Sequence, residues 1–421
     1  MNLEASSRVE DQPLIGLRVL DFTRVLAGPF CTMILADLGA EVIKIEGPDT
    51  PDYTRTIPPF VGDVSHYFLS VNRNKKAVAL DLKSVEGREI ALELGTKSDV
   101  VVENFRPGVM QRLGLDYPSL RARKPDIIYC SLSGFGQRGT LAGRASVDTV
   151  VQALSGAMSV NGEAGGPAIK LGLPVGDLAG SMWAAVGVLA ALHKRDSTGV
   201  GSHIDVSLLD SLVGLLSYLA QLYLVTGESP DRVGSNHQTV PAYGRYAVKD
   251  GYLVLAAQMD SFWAKFCAAA ERPDLATDVR FKTVGDRREH YAEVEQLVSD
   301  LLGTKTLEEW MRLLEAADVP YAPILSVGEA LEQTNIHERG LVRGVEQPGA
   351  GVVRVLGPVL KFSEDPSPSA VLSAPALGQH TRSVLRDVLG LSTTRIDALI
   401  KAGTAAEEAL HGATQNRRSI P

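Results

Sequence analysis

Cysteine is nearly missing from this chain: Cys31, Cys130 and Cys267 are the only three in 421 residues, and no two form a Cys-x-x-Cys pair. That spacing excludes a disulfide framework or a cysteine-based metal cluster. Each of the three sits in an apolar run, the usual setting of a buried small hydrophobe. Long hydrophobic stretches are missing too. The longest, 182–192, runs into His193-Lys194-Arg195 and is too short to cross a bilayer. Residues 1–12 are polar and acidic, without a basic stretch leading into an apolar one. A cytoplasmic location with no membrane partner is therefore expected. Positive charge is in deficit, 42 Lys and Arg against 50 Asp and Glu, for a net charge of −8. A nucleic-acid partner is not expected, because such proteins carry a basic domain or stripe.

Several catalytic signatures are lacking as well. The turn after the first predicted strand reads Thr23-Arg24-Val25-Leu26-Ala27-Gly28-Pro29, with one glycine where a dinucleotide fingerprint needs three. No P-loop and no Gly-x-Ser-x-Gly elbow occur. The eight histidines form no ligand-like pair, so no metal is expected.

What is present is an alternating pattern. Segment 17–22 reads as a buried strand, 27–38 as a helix with Phe30, Met33, Ile34 and Leu38 on one face, and 41–46 as a second strand. Strands at 77–82, 99–103, 126–132 and 203–206 continue it, with helices at 85–94 (Ser84 as cap), 178–194 and 208–225. Repeated β-α-β units predict an α/β fold with a parallel sheet. The stretch 227–243 is rich in breakers and reads as a flap. A smaller unit follows, with a strand at 252–256 and helices at 261–270 and 306–317, the last opened by the capping box Thr306/Glu309. Segment 341–362 reads as a hairpin about the turn 348–351, and helices at 381–389 and 394–402 close the body. The expected division is a large domain over 1–226, a smaller domain with its flap over 227–335, and a return to the large domain over 336–421.

The strongest local signal is Leu171-Gly172-Leu173-Pro174-Val175-Gly176-Asp177 before a helix, with Asp177 expected at the N-cap. Asp is a favoured cap and often nothing more. The same helix end can also keep the carboxylate ionised. Gly176 leaves a bulky ligand room, so the carboxylate could attack a thioester carbonyl. Basic residues flank strands at Arg73-Asn74-Lys75-Lys76, Lys83, Arg106 and Arg112. They are either solvated turns or receivers of ligand phosphates.

Several segments together carry a family resemblance. They are Leu20-Asp21-Phe22-Thr23-Arg24-Val25-Leu26-Ala27-Gly28-Pro29, Asp37-Leu38-Gly39-Ala40-Glu41-Val42-Ile43-Lys44-Ile45-Glu46, Asn72-Arg73-Asn74-Lys75-Lys76, Val102-Glu103-Asn104-Phe105-Arg106-Pro107-Gly108-Val109, Gly176-Asp177, Asp205-Val206-Ser207-Leu208-Leu209-Asp210 and Leu377-Gly378-Gln379-His380-Thr381. From about 14 to 380 the chain resembles the class III CoA-transferases, a superfamily that includes alpha-methylacyl-CoA racemase. The resemblance implies a Rossmann-like large domain, a smaller α+β domain and an interlocked-ring homodimer. It implies no permanently bound cofactor, with a coenzyme A thioester as substrate. Asp177 matches the family's nucleophile. Val25, Leu26, Ala27, Leu80, Lys83, Asn104, Phe105, Arg106, Arg112 and Asp148 match stretches that line the CoA site. Some members carry Gln in place of Leu26 and an Arg near Gly47; this chain offers neither side chain.

The alternative is the racemase branch, where a Gly-His-Asp supplies a histidine. This chain reads Ser146-Val147-Asp148, and valine cannot shuttle a proton. Segments 22–28, 60–62 and 69–76 most resemble succinyl-CoA-dependent transferases that serve dicarboxylic acids such as glutarate or mesaconate. For a second carboxylate, Arg55 and Arg73 are the candidate forks, and His237 in the flap is a further acyl contact.

Overall fold

A computed structural model of the chain describes residues 12–362 and 371–408. They form two compact units. The first comprises Met1–Ser155, Gly172–Leu215 and Asn335–Pro421 within the described limits. The second comprises Gly156–Leu171 and Leu216–Thr334.

The first unit is built on a seven-stranded sheet: β1 (Arg18–Asp21), β2 (Glu41–Glu46), β3 (Lys75–Leu80), β4 (Val100–Glu103), β5 (Ile128–Ser133), β6 (Ser202–Ser207) and β7 (Ala405–Ala406). Their spatial order is β7-β3-β2-β1-β4-β5-β6. β1 to β6 are parallel, and only β7 runs against its neighbour β3. The parallel part has the doubly wound 3-2-1-4-5-6 order, which reverses direction between β1 and β4. Such strands are covered on both faces and so read as nearly continuous apolar runs. Val100, Val101 and Val102 of β4 are all buried. One face packs Leu20, Ile43, Val78, Ile90, Leu94, Leu120, Tyr129, Leu385 and Leu399 into a core that the C-terminal helices Thr381–Asp387 and Thr393–Lys401 help to close. The helices Ala27–Asp37 and Val175–Thr198 lie side by side and also pack on the sheet. Val175–Thr198 is the one described helix long and apolar enough to cross a membrane, and half of its apolar window is buried within the chain.

The second unit has an antiparallel three-stranded sheet, Tyr321–Pro323, Gly251–Ala256 and Tyr243–Val248 in that order. Its core is aromatic: Trp263, Phe266, Phe281 and Trp310 are all buried. The Thr306/Glu309 capping box forms, with the Glu309 carboxylate accepting from the Thr306 N–H at 2.8 Å.

Two expectations need correction. The single helix over 208–225 is two, Leu208–Leu215 and Tyr218–Thr226, bent by 78°. Ser217, at φ +49°, lies in the left-handed region and breaks the run, a local backbone choice that an apolar pattern does not encode. Accordingly the second unit resumes at Leu216 rather than 227, and it also takes in Gly156–Leu171.

Candidate active site

In doubly wound sheets, ligands bind outside the carboxyl ends of the strands where the order reverses. Here that point lies beyond Asp21 of β1 and Glu103 of β4. The residues that follow are Phe22 to Ala27 and Asn104 to Arg106, which include six of the ten expected CoA contacts. The fold thus brings together two segments about 80 residues apart. Asn104 joins them directly. Its side-chain oxygen accepts from the Arg24 N–H and its amide donates to the Arg24 carbonyl, both at 2.8 Å. The Arg24 guanidinium lies over the Phe105 ring at 5.5 Å.

Beneath the 22–28 turn sits a buried ionic cluster that no sequence pattern revealed. Asp21 accepts from the hydroxyls of Thr23 at 2.5 Å and Thr32 at 2.6 Å, and its carboxylate is 3.2 Å from the Lys75 ammonium. Lys44 pairs with Asp52 at 3.0 Å, and neither side chain has any exposed surface. Burial pushes the Asp52 carboxyl up, but Lys44 and the Thr54 N–H outweigh it and hold it down at about 2. Burial dominates at Lys75 and brings its ammonium down to about 8.

Asp177 lies on the first turn of Val175–Thr198, at the same carboxyl edge. The N-cap is Pro174, so Asp177 is the third helical residue and not the cap. The capping carboxylate comes instead from Asp148, whose Oδ1 accepts from the N–H groups of Gly176 at 2.8 Å and Asp177 at 3.2 Å. Gln152 donates to its other oxygen at 2.7 Å. An acceptor 28 and 29 residues upstream was invisible to local pattern. The consequence reverses the electrostatic expectation. Asp148 takes up the helix-end N–H groups, and among the described residues nothing donates to the Asp177 carboxylate. Burial, and then the Asp148 charge, push the Asp177 carboxyl up to about 7. Its charge in turn helps raise the Tyr67 phenol, which places that ring in its field. Ser181, one turn further on, ties the two helices together: its hydroxyl is 2.6 Å from both the Asp177 and the Ala27 carbonyl oxygens. Neither Tyr67 nor Ser181 stood out in the sequence.

The other expected residues divide. Arg106, Arg112 and Lys83 are exposed and make no ion pair among the described residues. Leu80 is wholly buried and pairs with Ala405 in the sheet, so its side chain belongs to the core. Arg55 and Arg73 are not open forks. Arg55 is spent on Glu46 at 2.6 Å, on the Pro375 carbonyl and on the Phe68 ring. Arg73 is buried against Asp37 at 2.5 Å. Their partners lie 9 and 36 residues away, and only folding introduces them. His237 is in the second unit, stacked between Tyr218 and Tyr243 at 5.5 and 5.6 Å. Val147 is exposed and brings no acid or base beside Asp148. The segment Gly134-Phe135-Gly136-Gln137-Arg138-Gly139 has dinucleotide spacing, yet turns and bends follow it rather than a helix, so it builds no pyrophosphate cradle.

The chain is similar to known proteins over most of its length. Residues 14–381 match the model of CoA-transferase family III. Succinyl-CoA:glutarate CoA-transferase of Homo sapiens is 38% identical over 401 residues, covering 95% of this chain and 91% of the relative. Succinyl-CoA:mesaconate CoA-transferase of Haloarcula hispanica is 40% identical over 397 residues, 91% of this chain and 99% of the relative. The crystal structure of a CAIB/BAIF family protein from Brucella suis superposes with a TM-score of 0.78 at 33% identity, covering 90% of this chain and 99% of that one. With residues 14–381 matched by the family and relatives 38–40% identical over nearly its whole length, the chain belongs to CoA-transferase family III.

Proposed function

We propose that this enzyme moves coenzyme A from succinyl-CoA to a small dicarboxylic acid, with Asp177 as nucleophile. The observation that carries the reading is the Asp177 carboxyl: half-buried, on a helix's first turn, without a donor among the described residues, and raised by burial. A carboxylate stripped of hydrogen bonds is the more reactive for it.

In the proposed cycle the Asp177 carboxylate adds to the thioester carbonyl, the carbon–sulfur bond breaks, and CoA leaves as thiolate. The resulting mixed anhydride is attacked at the Asp177 carbonyl by that thiolate, which frees the donor acid and leaves an aspartyl-CoA thioester. The acceptor carboxylate repeats the two steps in reverse order and regenerates Asp177. No net proton is consumed. The switch-point loops would hold the CoA moiety, with Arg106, Arg112 and Lys83 facing its phosphates. The dicarboxylate specificity is inferred from the glutarate and mesaconate transferases that the chain resembles.

We also propose a homodimer. Met182, Trp183 and Val186 of the Val175–Thr198 helix are each about half exposed, an apolar patch that a partner would cover.

Hydroxylamine added during turnover should convert Asp177 to its hydroxamate, seen by peptide mass spectrometry. Asp177→Asn should slow thioester exchange by about 10^3-fold or more. A folded Asp177→Asn enzyme exchanging at the wild-type rate would end the proposal.

A further inference from the structure

Val25 is a β-branched residue in the left-handed region, at φ +68°. That conformation is strained, and it persists only where surrounding contacts fix it. Those contacts come from side chains. The Val25 N–H faces both oxygens of Asp52, at 3.2 and 3.3 Å. The Thr23 carbonyl accepts from Lys44 at 2.7 Å, and the Thr23 N–H donates to Asp21 at 2.8 Å. Between them, Arg24 has both backbone groups taken by Asn104. Lys44 and Asp52, paired at 3.0 Å and wholly buried, therefore grip the turn from its two ends. Asp52 is itself fixed by Thr54, which donates through both its N–H and its hydroxyl, and by its own N–H on Glu46.

A plain strand-to-helix connection needs none of this, since glycine adopts such a φ freely. What the strained turn achieves is the presentation of the next residues. The N–H groups of Leu26, Ala27 and Gly28 open the helix Ala27–Asp37 at the switch point, and they meet no acceptor among the described residues.

We propose that the buried Lys44–Asp52 pair is a positioning strut of the acyl-CoA loop, holding Val25 left-handed so that the loop keeps its ligand-binding shape. The strut rests on the reading of the switch point as the acyl-CoA site. It acts through the loop and touches no reacting atom, so it governs KM for acyl-CoA rather than kcat.

The test is a double-mutant cycle with steady-state kinetics at saturating acceptor acid. Asp52→Ala should raise KM for acyl-CoA by about tenfold or more while kcat stays within about threefold. In the Val25→Gly background, where the turn no longer needs to be held, the same substitution should raise KM by less than about threefold. A purely structural role predicts equal effects in both backgrounds, and that result would overturn the strut. So would an unchanged KM in folded Asp52→Ala. If Asp52→Ala does not fold, Asp52→Asn takes its place; it keeps one oxygen for the Val25 N–H but presents no charge to Lys44, and an unchanged KM there is equally fatal. Asn104→Ala separates the two levels. A KM raised in Asn104→Ala with silent Asp52 variants sinks the strut alone, whereas an unchanged KM in Asn104→Ala sinks the switch-point site itself.

Discussion

Asp177→Asn should make the protein more stable above neutral pH, by an advantage that shrinks as pH falls and is gone below about 3.8. The folded Asp177 carboxyl sits at about 7 against an ordinary 3.8. Between those values the folded state holds a proton that the unfolded chain has lost. The stabilisation from protonation is therefore complete below about 3.8 and is lost as pH rises through 7. The gap of about three pH units corresponds to about 4 kcal/mol at pH 8, taking 1.36 kcal/mol per unit. Because the side chain is only half-buried, solvent screening reduces this to roughly 2 kcal/mol. Asparagine mimics the protonated carboxyl and never carries the penalty. Urea melts of both proteins at pH 5 and pH 8 cancel every other titrating group in the difference. About two of those units lie above pH 5, so with the same screening the asparagine variant should gain roughly 1.4 kcal/mol on wild type in going from pH 5 to pH 8. An equal difference at the two pH values would refute the burial argument, and with it the account of why this carboxylate is reactive.

Three further outcomes are expected. The rate of thioester exchange, as kcat/KM for acyl-CoA, should fall about tenfold per pH unit below 7, because only the ionised Asp177 attacks. Asp148→Asn should move that acid limb to lower pH, since it removes the neighbouring charge that helps raise Asp177; an unmoved limb assigns it to another group, such as Glu103, which burial also raises to about 7. Arg73→Ala should cost about 3–5 kcal/mol in a denaturation melt by stranding the buried Asp37 carboxylate, while the ratio of kcat/KM for dicarboxylic over monocarboxylic acids stays the same.

Much of this protein was legible from its residues alone. The strand-helix alternation of the first unit is written as runs of Val and Ile at strand lengths and as apolar residues at helical spacing, because burial on both sheet faces demands it. The Thr306/Glu309 box and the Ser84 cap were readable because their partners lie three residues apart. Asp177 could be singled out from a short motif. Its state could not. The cap on its helix comes from Asp148 across 28 and 29 residues, Asp177 lies inside the first turn, and burial together with the Asp148 charge turns an expected low pKa into a raised one. Arg55 and Arg73 looked like open forks because a sequence does not show that Glu46 and Asp37 will meet them. The strained Val25 and the Lys44–Asp52 pair left no local trace either. Periodicity is set by each element's own burial, so the sequence determines it. The charge state and availability of a side chain depend on what lies within a few ångströms in space, and only the tertiary fold decides that.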